Sequence, residues 1–113
     1  MPRGPLRVTL VQIAAGPDPA DNRSRIEAML AGQAPEDLLV LPEVFACRAD
    51  DAGARVRAEE ADGAIARWMG ELARRRNAWV AGGLIERTAE GIFNTLAVVD
   101  PSGRRQAAYR KIH

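Results

Sequence analysis

The 113-residue sequence predicts a layered α/β fold, with helices on one side of a mixed sheet. Three observations predict it. Short β-branched apolar runs alternate with segments of helical period. The last two apolar runs are joined by a tight-turn sequence, so the chain should end in a hairpin. Length and a hydrophobic content of 47% suit one packed core.

Taken in order, Leu6 to Ile13, "LRVTLVQI", is β-branched and nearly apolar, which predicts a first strand. "GPDPADN" follows, with Asp18 placed to cap a helix that begins at Pro19. Ile26, Met29 and Leu30 lie at helical spacing, and the helix should fade near Gly32 or Pro35. Asp37 to Leu41 is of strand length, and Pro42, lacking an amide donor, should end it. Ala46 to Glu60 has no clear period and is expected as a surface loop with some helical turns. Between Asp62 and Asn77 the residues Ile65, Trp68, Met69 and Leu72 share one helical face. "AWVAGGLI" (Ala78 to Ile85), "FNTLAVV" (Phe93 to Val99) and Arg105 to Arg110 give three more strands. "DPSG" (Asp100 to Gly103) has the composition of a type I turn between the last two.

Composition excludes several function classes. Net charge is +1 and aromatic content 4%, which argues against nucleic-acid binding. Arg74, Arg75 and Arg76 are expected as a solvated, dipole-complementing helix end. No apolar run approaches the roughly 20 residues that span a bilayer, and "MPRGPLRVTLVQ" lacks a signal-peptide pattern. A cytoplasmic location without membrane contact is the default expectation. One cysteine, Cys47, excludes an internal disulfide, and one histidine, His113, excludes a His/His ligand pair.

Two residues draw attention as candidates for chemistry. Glu43 follows Pro42 at a strand end, beside Val44 and Phe45. A strand-end acid is ordinarily a surface group, but apolar neighbours would partly desolvate it and make it a better base near neutral pH. Lys111, in "YRKIH", could be an ordinary basic strand end. In a cleft, its ammonium could stabilise a developing oxyanion. Functional groups of open α/β sheets gather beyond strand carboxyl ends, where both candidates should lie. Asn94 and Tyr109 are expected to be buried structural residues.

"VTLVQI", "DLLVLPEVF", "GGLIE", "NTLAVVDPSG" and "YRKIH", in this order, resemble the carbon–nitrogen hydrolase (nitrilase) superfamily over nearly the whole chain. The resemblance implies an α-β-β-α sandwich and hydrolysis of non-peptide C–N bonds by a Glu–Lys–Cys triad without metal or organic cofactor. It further implies a small-molecule amide or nitrile substrate and homo-oligomers. By motif, Glu43 would be the general base and Lys111 would stabilise the tetrahedral intermediate. "GGLIERTAEGIFNT" and "DPSGRRQAAYRKIH" look most like the amidase branches, such as omega-amidase and deaminated-glutathione amidase. "PEVFACRAD" departs from the Gly-Tyr that many members carry after the acid, which leaves pocket shape and substrate open.

The family's nucleophilic cysteine follows the lysine motif, and Cys47 matches no nucleophile motif. Residues 1–113 are therefore expected to be a partial hydrolase domain, truncated after the lysine motif and inactive alone. The alternatives are a remnant that keeps only an interaction or structural role, and a small nucleic-acid binder using Arg74 to Arg76, Arg104, Arg105, Arg110 and Lys111.

Overall fold

The computed structural model describes residues 4–42 and 63–111. The elements are β1 (Val8–Leu10), α1 (Pro19–Leu30), β2 (Leu38–Val40), α2 (Ala64–Arg76), β3 (Trp79–Thr88), β4 (Gly91–Val99) and β5 (Arg105–Arg110). They form one five-stranded sheet in the order β1-β2-β3-β4-β5. The β1–β2 and β2–β3 pairs are parallel, whereas β3–β4 and β4–β5 are antiparallel.

Helix α1 starts where the sequence indicated. The Asp18 side chain accepts from the Ala20 amide, and Pro19 opens the first turn. Its buried stripe is Asn22, Ile26 and Leu30, while Met29, expected on that face, is exposed. Asn22 can be buried because its amide is matched at both ends: Oδ1 accepts from Gly16 N at 2.9 Å and Nδ2 donates to Gly16 O at 2.8 Å. Helix α2 buries Ile65, Met69, Leu72 and Ala73, with Trp68 packed partly against them. It stops at Asn77, whose left-handed φ of 50° closes the helix while its amide donates to Ala73 O and Arg74 O.

Both helices cover the same face of the sheet. Val11, Leu39, Leu41, Val80, Leu84, Ala97 and Val99 point into one core with the α1 and α2 stripes. The side chains between them alternate to the other face. There Val8, Leu10, Trp79, Leu96 and Tyr109 are exposed, with Leu10 73% accessible and Tyr109 59%. Register places them side by side: Val8 joins Trp79 through Leu38, and Leu96 lies opposite Tyr109. The sheet is thus closed by helices on one side and carries a row of exposed apolar side chains on the other.

The first two strands are shorter than their apolar runs. Hydrogen bonding continues past them, from Asp37 N and Leu38 N to Arg7 O and from Val11 N to Val40 O. As the edge strand, β1 has one neighbour and ends where that neighbour ends. In contrast, β3 and β4 outrun their apolar cores. Thr88 pairs with Gly91 around an Ala89–Glu90 turn, giving a hairpin that the polar sequence "ERTAEG" did not announce. Thr88 Oγ1 accepts from Glu90 N, and Gly91 supplies the positive φ of 141°. The expected last hairpin is present. Gly103 N donates to Asp100 O at 2.8 Å, and β5 spans Arg105–Arg110 as expected. Gly103 lies against Gly70 of α2, where a Cβ on Gly70 would come within 2.9 Å of Gly103 O.

The three consecutive arginines of α2 do more than face water. Arg74 donates to Ser102 O of the last hairpin, Arg75 pairs with Glu27 of α1 at 2.6 Å, and Arg76 pairs with Glu36, just before β2, at 2.7 Å. One helix end therefore ties three separate segments. The ties differ in weight because their exposure differs. The Glu36 side chain is 1% exposed, whereas Arg75 and Glu27 are 57% and 41% exposed. Burial disfavours the Glu36 carboxylate, yet its pKa is lowered from 4.5. Hydrogen bonds from Arg76, its own backbone amide and Thr9, together with the Arg76 charge, outweigh that burial. At the hairpin turn, the Asp100 carboxylate accepts from Ser102 Oγ, Ser102 N, Arg104 N and Gln106 Nε2. The Ser102 hydroxyl leads these bonds, which hold Asp100 down from 3.8 to about 2.

Two predictions follow from these anchors. Arg76→Met leaves a buried carboxylate unpaired and should destabilise the chain by about 3 kcal/mol in urea unfolding. Arg75→Met should cost less than about 1 kcal/mol. Both lowered carboxylates stabilise the fold above their ordinary values of 4.5 and 3.8; the Asp100 contribution is lost as pH falls from 3.8 through about 2, and the Glu36 contribution is lost as pH falls below 4.5. Asp100→Asn should therefore lower the urea midpoint at pH 7 and flatten its dependence on pH between 3.8 and 2.

Candidate active site

The topology decides which strand ends meet. β1, β2 and β3 run the same way, and two antiparallel steps bring β5 back to that direction. The carboxyl ends of β1, β2, β3 and β5 therefore lie along one end of the sheet, where ligands of open α/β sheets gather.

Lys111 lies at that end. Its amide donates to Asn94 O at 2.8 Å, one step beyond the Thr95–Arg110 pair. Strand alternation, continued one residue past the end of β5 at Arg110, would set it on the face of Tyr109, the open apolar face. On β2, Leu41 N donates to Ala81 O, and Pro42 O accepts from Gly83 N at 3.4 Å. Asn94 is the register partner of Ile85, two residues along β3 from Gly83. The last described residue before Glu43 and the backbone of Lys111 thus flank the same short piece of the β3–β4 hairpin. Glu43 itself, Cys47, the loop expected from Ala46 to Glu60 and His113 lie outside the described residues.

The expectation that Asn94 and Tyr109 are buried is corrected for Tyr109, which is exposed on the open face. Asn94 is part-buried. The reason is that β5 is an edge strand, paired with β4 on one flank and covered by no described residue on its outer flank or open face.

The sequence reading missed a polar cluster on the opposite, helix-covered face at the same sheet end. Glu86 is 3% exposed. It pairs with Arg105 Nη1 at 2.8 Å and Arg110 Nε at 3.7 Å, and accepts from Thr95 Oγ1 at 3.4 Å. The Arg110 guanidinium also lies 4.8 Å from the centre of the Phe93 ring. The cluster borders an open depression of about 900 Å³ lined by Arg87, Thr88 and Tyr109 among others. One signal could have located it: Glu86 stands at an inward position of a strand whose preceding inward residues, Val80 and Leu84, are apolar. Among the described residues, no helix is long and apolar enough to cross a membrane.

The fold agrees with known proteins. The sequence pattern of the family "Carbon-nitrogen hydrolase" matches residues 7–113, and the chain belongs to that hydrolase family. It is 31% identical to the 2-oxoglutaramate amidase of Paenarthrobacter nicotinovorans, over 98% of this chain and 40% of that protein. It is 35% identical to a hydrolase of Mycobacterium tuberculosis, over 96% of this chain and 40% of that protein. A CN-hydrolase superfamily protein of Xanthomonas campestris, solved with an arsenic adduct in its active site, superposes with a TM-score of 0.84 at 38% identity. The match covers 96% of this chain and 41% of that one. The mixed sheet with its helices is the fold of this family, and the chain spans about 40% of the length of the relatives it matches.

Proposed function

We propose that this chain carries the general base and the oxyanion-stabilising lysine of a small-molecule amidase, with the nucleophilic cysteine contributed by residues outside these 113. The observation that carries the reading is the shared sheet end. Pro42, which precedes Glu43, and Lys111 flank the same segment of β3–β4. The amidase relative supports an amide as the substrate class.

The chemistry assigns each group a role. The Glu43 carboxylate takes the thiol proton, and the thiolate attacks the amide carbon. Lys111 stabilises the oxyanion as the C=O bond becomes C–O⁻. The oxyanion then collapses, the C–N bond breaks, and Glu43 returns the proton to departing ammonia. Water, deprotonated by the same carboxylate, then cleaves the thioester and regenerates the thiol. A compact ammonium suits the lysine's role better than a planar guanidinium. This chain has one lysine among its 16 Lys and Arg residues, and that lysine stands at the sheet end.

The bare apolar face supports the same reading. A second sheet packed on it, as in an α-β-β-α sandwich, would cover Leu10, Trp79, Leu96 and Tyr109 and enclose Lys111 at the rim. That face also favours a second reading, a non-catalytic module that uses it only for association. The three paired arginines of α2 make the nucleic-acid reading weaker still, since their guanidinium groups are already engaged.

Ammonia release from small amides tests the reading. The 113-residue chain alone should release none. Joined to the part of the Paenarthrobacter relative that it does not match, it should turn over, and Glu43→Ala or Lys111→Met should each reduce kcat about 10²- to 10⁴-fold. Turnover by the chain alone that is lost in Glu43→Ala would refute the external nucleophile. An active hybrid indifferent to both substitutions would refute the roles of Glu43 and Lys111.

A further inference from the structure

We propose that Glu86 is a positioning residue for Lys111: its buried carboxylate holds Arg110 on the helix-covered face and thereby sets Lys111 on the open one. The inference rests on the reading of Lys111 as the oxyanion-stabilising group.

Arg110 and Lys111 are adjacent cations at the end of an edge strand, so strand alternation sends them to opposite faces. A slip of one residue would exchange them, because it moves every side chain of the strand to the opposite face. The two faces of β3 differ in what they offer. On the helix side Glu86 is buried; on the open side the chain presents Gly83 and Ile85. Arg105 at 2.8 Å already pairs with Oε2 of Glu86. Its Oε1 faces Thr95 Oγ1 at 3.4 Å and Arg110 Nε at 3.7 Å, and Thr95 is the register partner of Arg110. A polar row therefore runs across three strands, Glu86–Thr95–Arg110, and ends one residue before Lys111. The Phe93 ring and Glu90, 3.7 Å from Arg110 Nη1, add two further contacts on the guanidinium. A guanidinium fork fits this site better than an ammonium, so the buried acid discriminates between these two equally charged neighbours by shape.

Because Lys111 is the one lysine, methylation with ¹³C-formaldehyde labels its amine and the N-terminus alone. The experiment follows that resonance and the hydrogen exchange of the Lys111 amide in the 113-residue chain and in Glu86→Gln, Arg110→Met and Arg105→Met. Glu86→Gln and Arg110→Met should raise Lys111 exchange about tenfold or more and shift the dimethyl-lysine signal, with Val80 and Leu84 amides still protected. Arg105→Met, which removes the other partner of Glu86, should change Lys111 exchange by less than about twofold. Unchanged Lys111 exchange in Arg110→Met, or an equal rise in Arg105→Met, overturns the proposal. If Glu86→Gln does not fold, the comparison of the two arginine variants decides the matter. The readout needs no catalysis. The expected exchange pattern together with a Lys111→Met hybrid that keeps full turnover would support the positioning and overturn the catalytic reading.

Discussion

Strand direction is the constraint on which the rest depends. Two crossovers keep β1, β2 and β3 parallel, and two successive hairpins return β5 to the same heading. An odd number of reversals would have put Lys111 at the far end of the sheet, some 20 Å or more from the end of β2 at about 3.3 Å per residue. Both hairpins rest on local turn chemistry. Gly91 and Gly103 take positive φ, and the Asp100 carboxylate gathers four donors.

Packing then makes the two faces unlike. α1 and α2 bury one face against Leu39, Val80 and Leu84, and the α2 arginines tie that layer to the first helix, to the approach to β2 and to the last hairpin. The opposite face keeps its apolar row bare. On the proposed reading, a second layer over this face would put the Lys111 ammonium in lower dielectric and strengthen its interaction with a developing oxyanion. The link from packing to function is thus the asymmetry of the sheet rather than any one contact.

Much of this was legible in the residues. The Asp18–Pro19 start, the Ile65–Leu72 face and the "DPSG" turn each follow from a local rule and hold in the structure, whereas β2 ends at Val40, ahead of Pro42, and Pro42 O still accepts from Gly83 N. What escaped has a common cause. The β3–β4 hairpin is joined by "RTAEG", whose strand ends are polar and pair by backbone geometry rather than by hydrophobic pattern. Met29 matched the helical period, but the buried stripe runs through Asn22, a polar side chain made tolerable only by its two bonds to Gly16. Glu86 drew no attention in the sequence, because the arginines that hold it are 19 and 24 positions away along the chain. Lys111 stood out at a strand end, the motif resemblance implied its role, and the structure puts its backbone at the shared sheet end.

The most direct measurement of the central claim is zero-length carbodiimide coupling at Lys111, with the partner mapped by mass spectrometry. A carboxylate and an amine couple only when they touch. Convergence at one sheet end on the open face predicts an isopeptide between Lys111 and Glu43. Coupling of Lys111 to Glu86 or Glu90 in place of Glu43 would put the lysine on the helix-covered face and contradict the account.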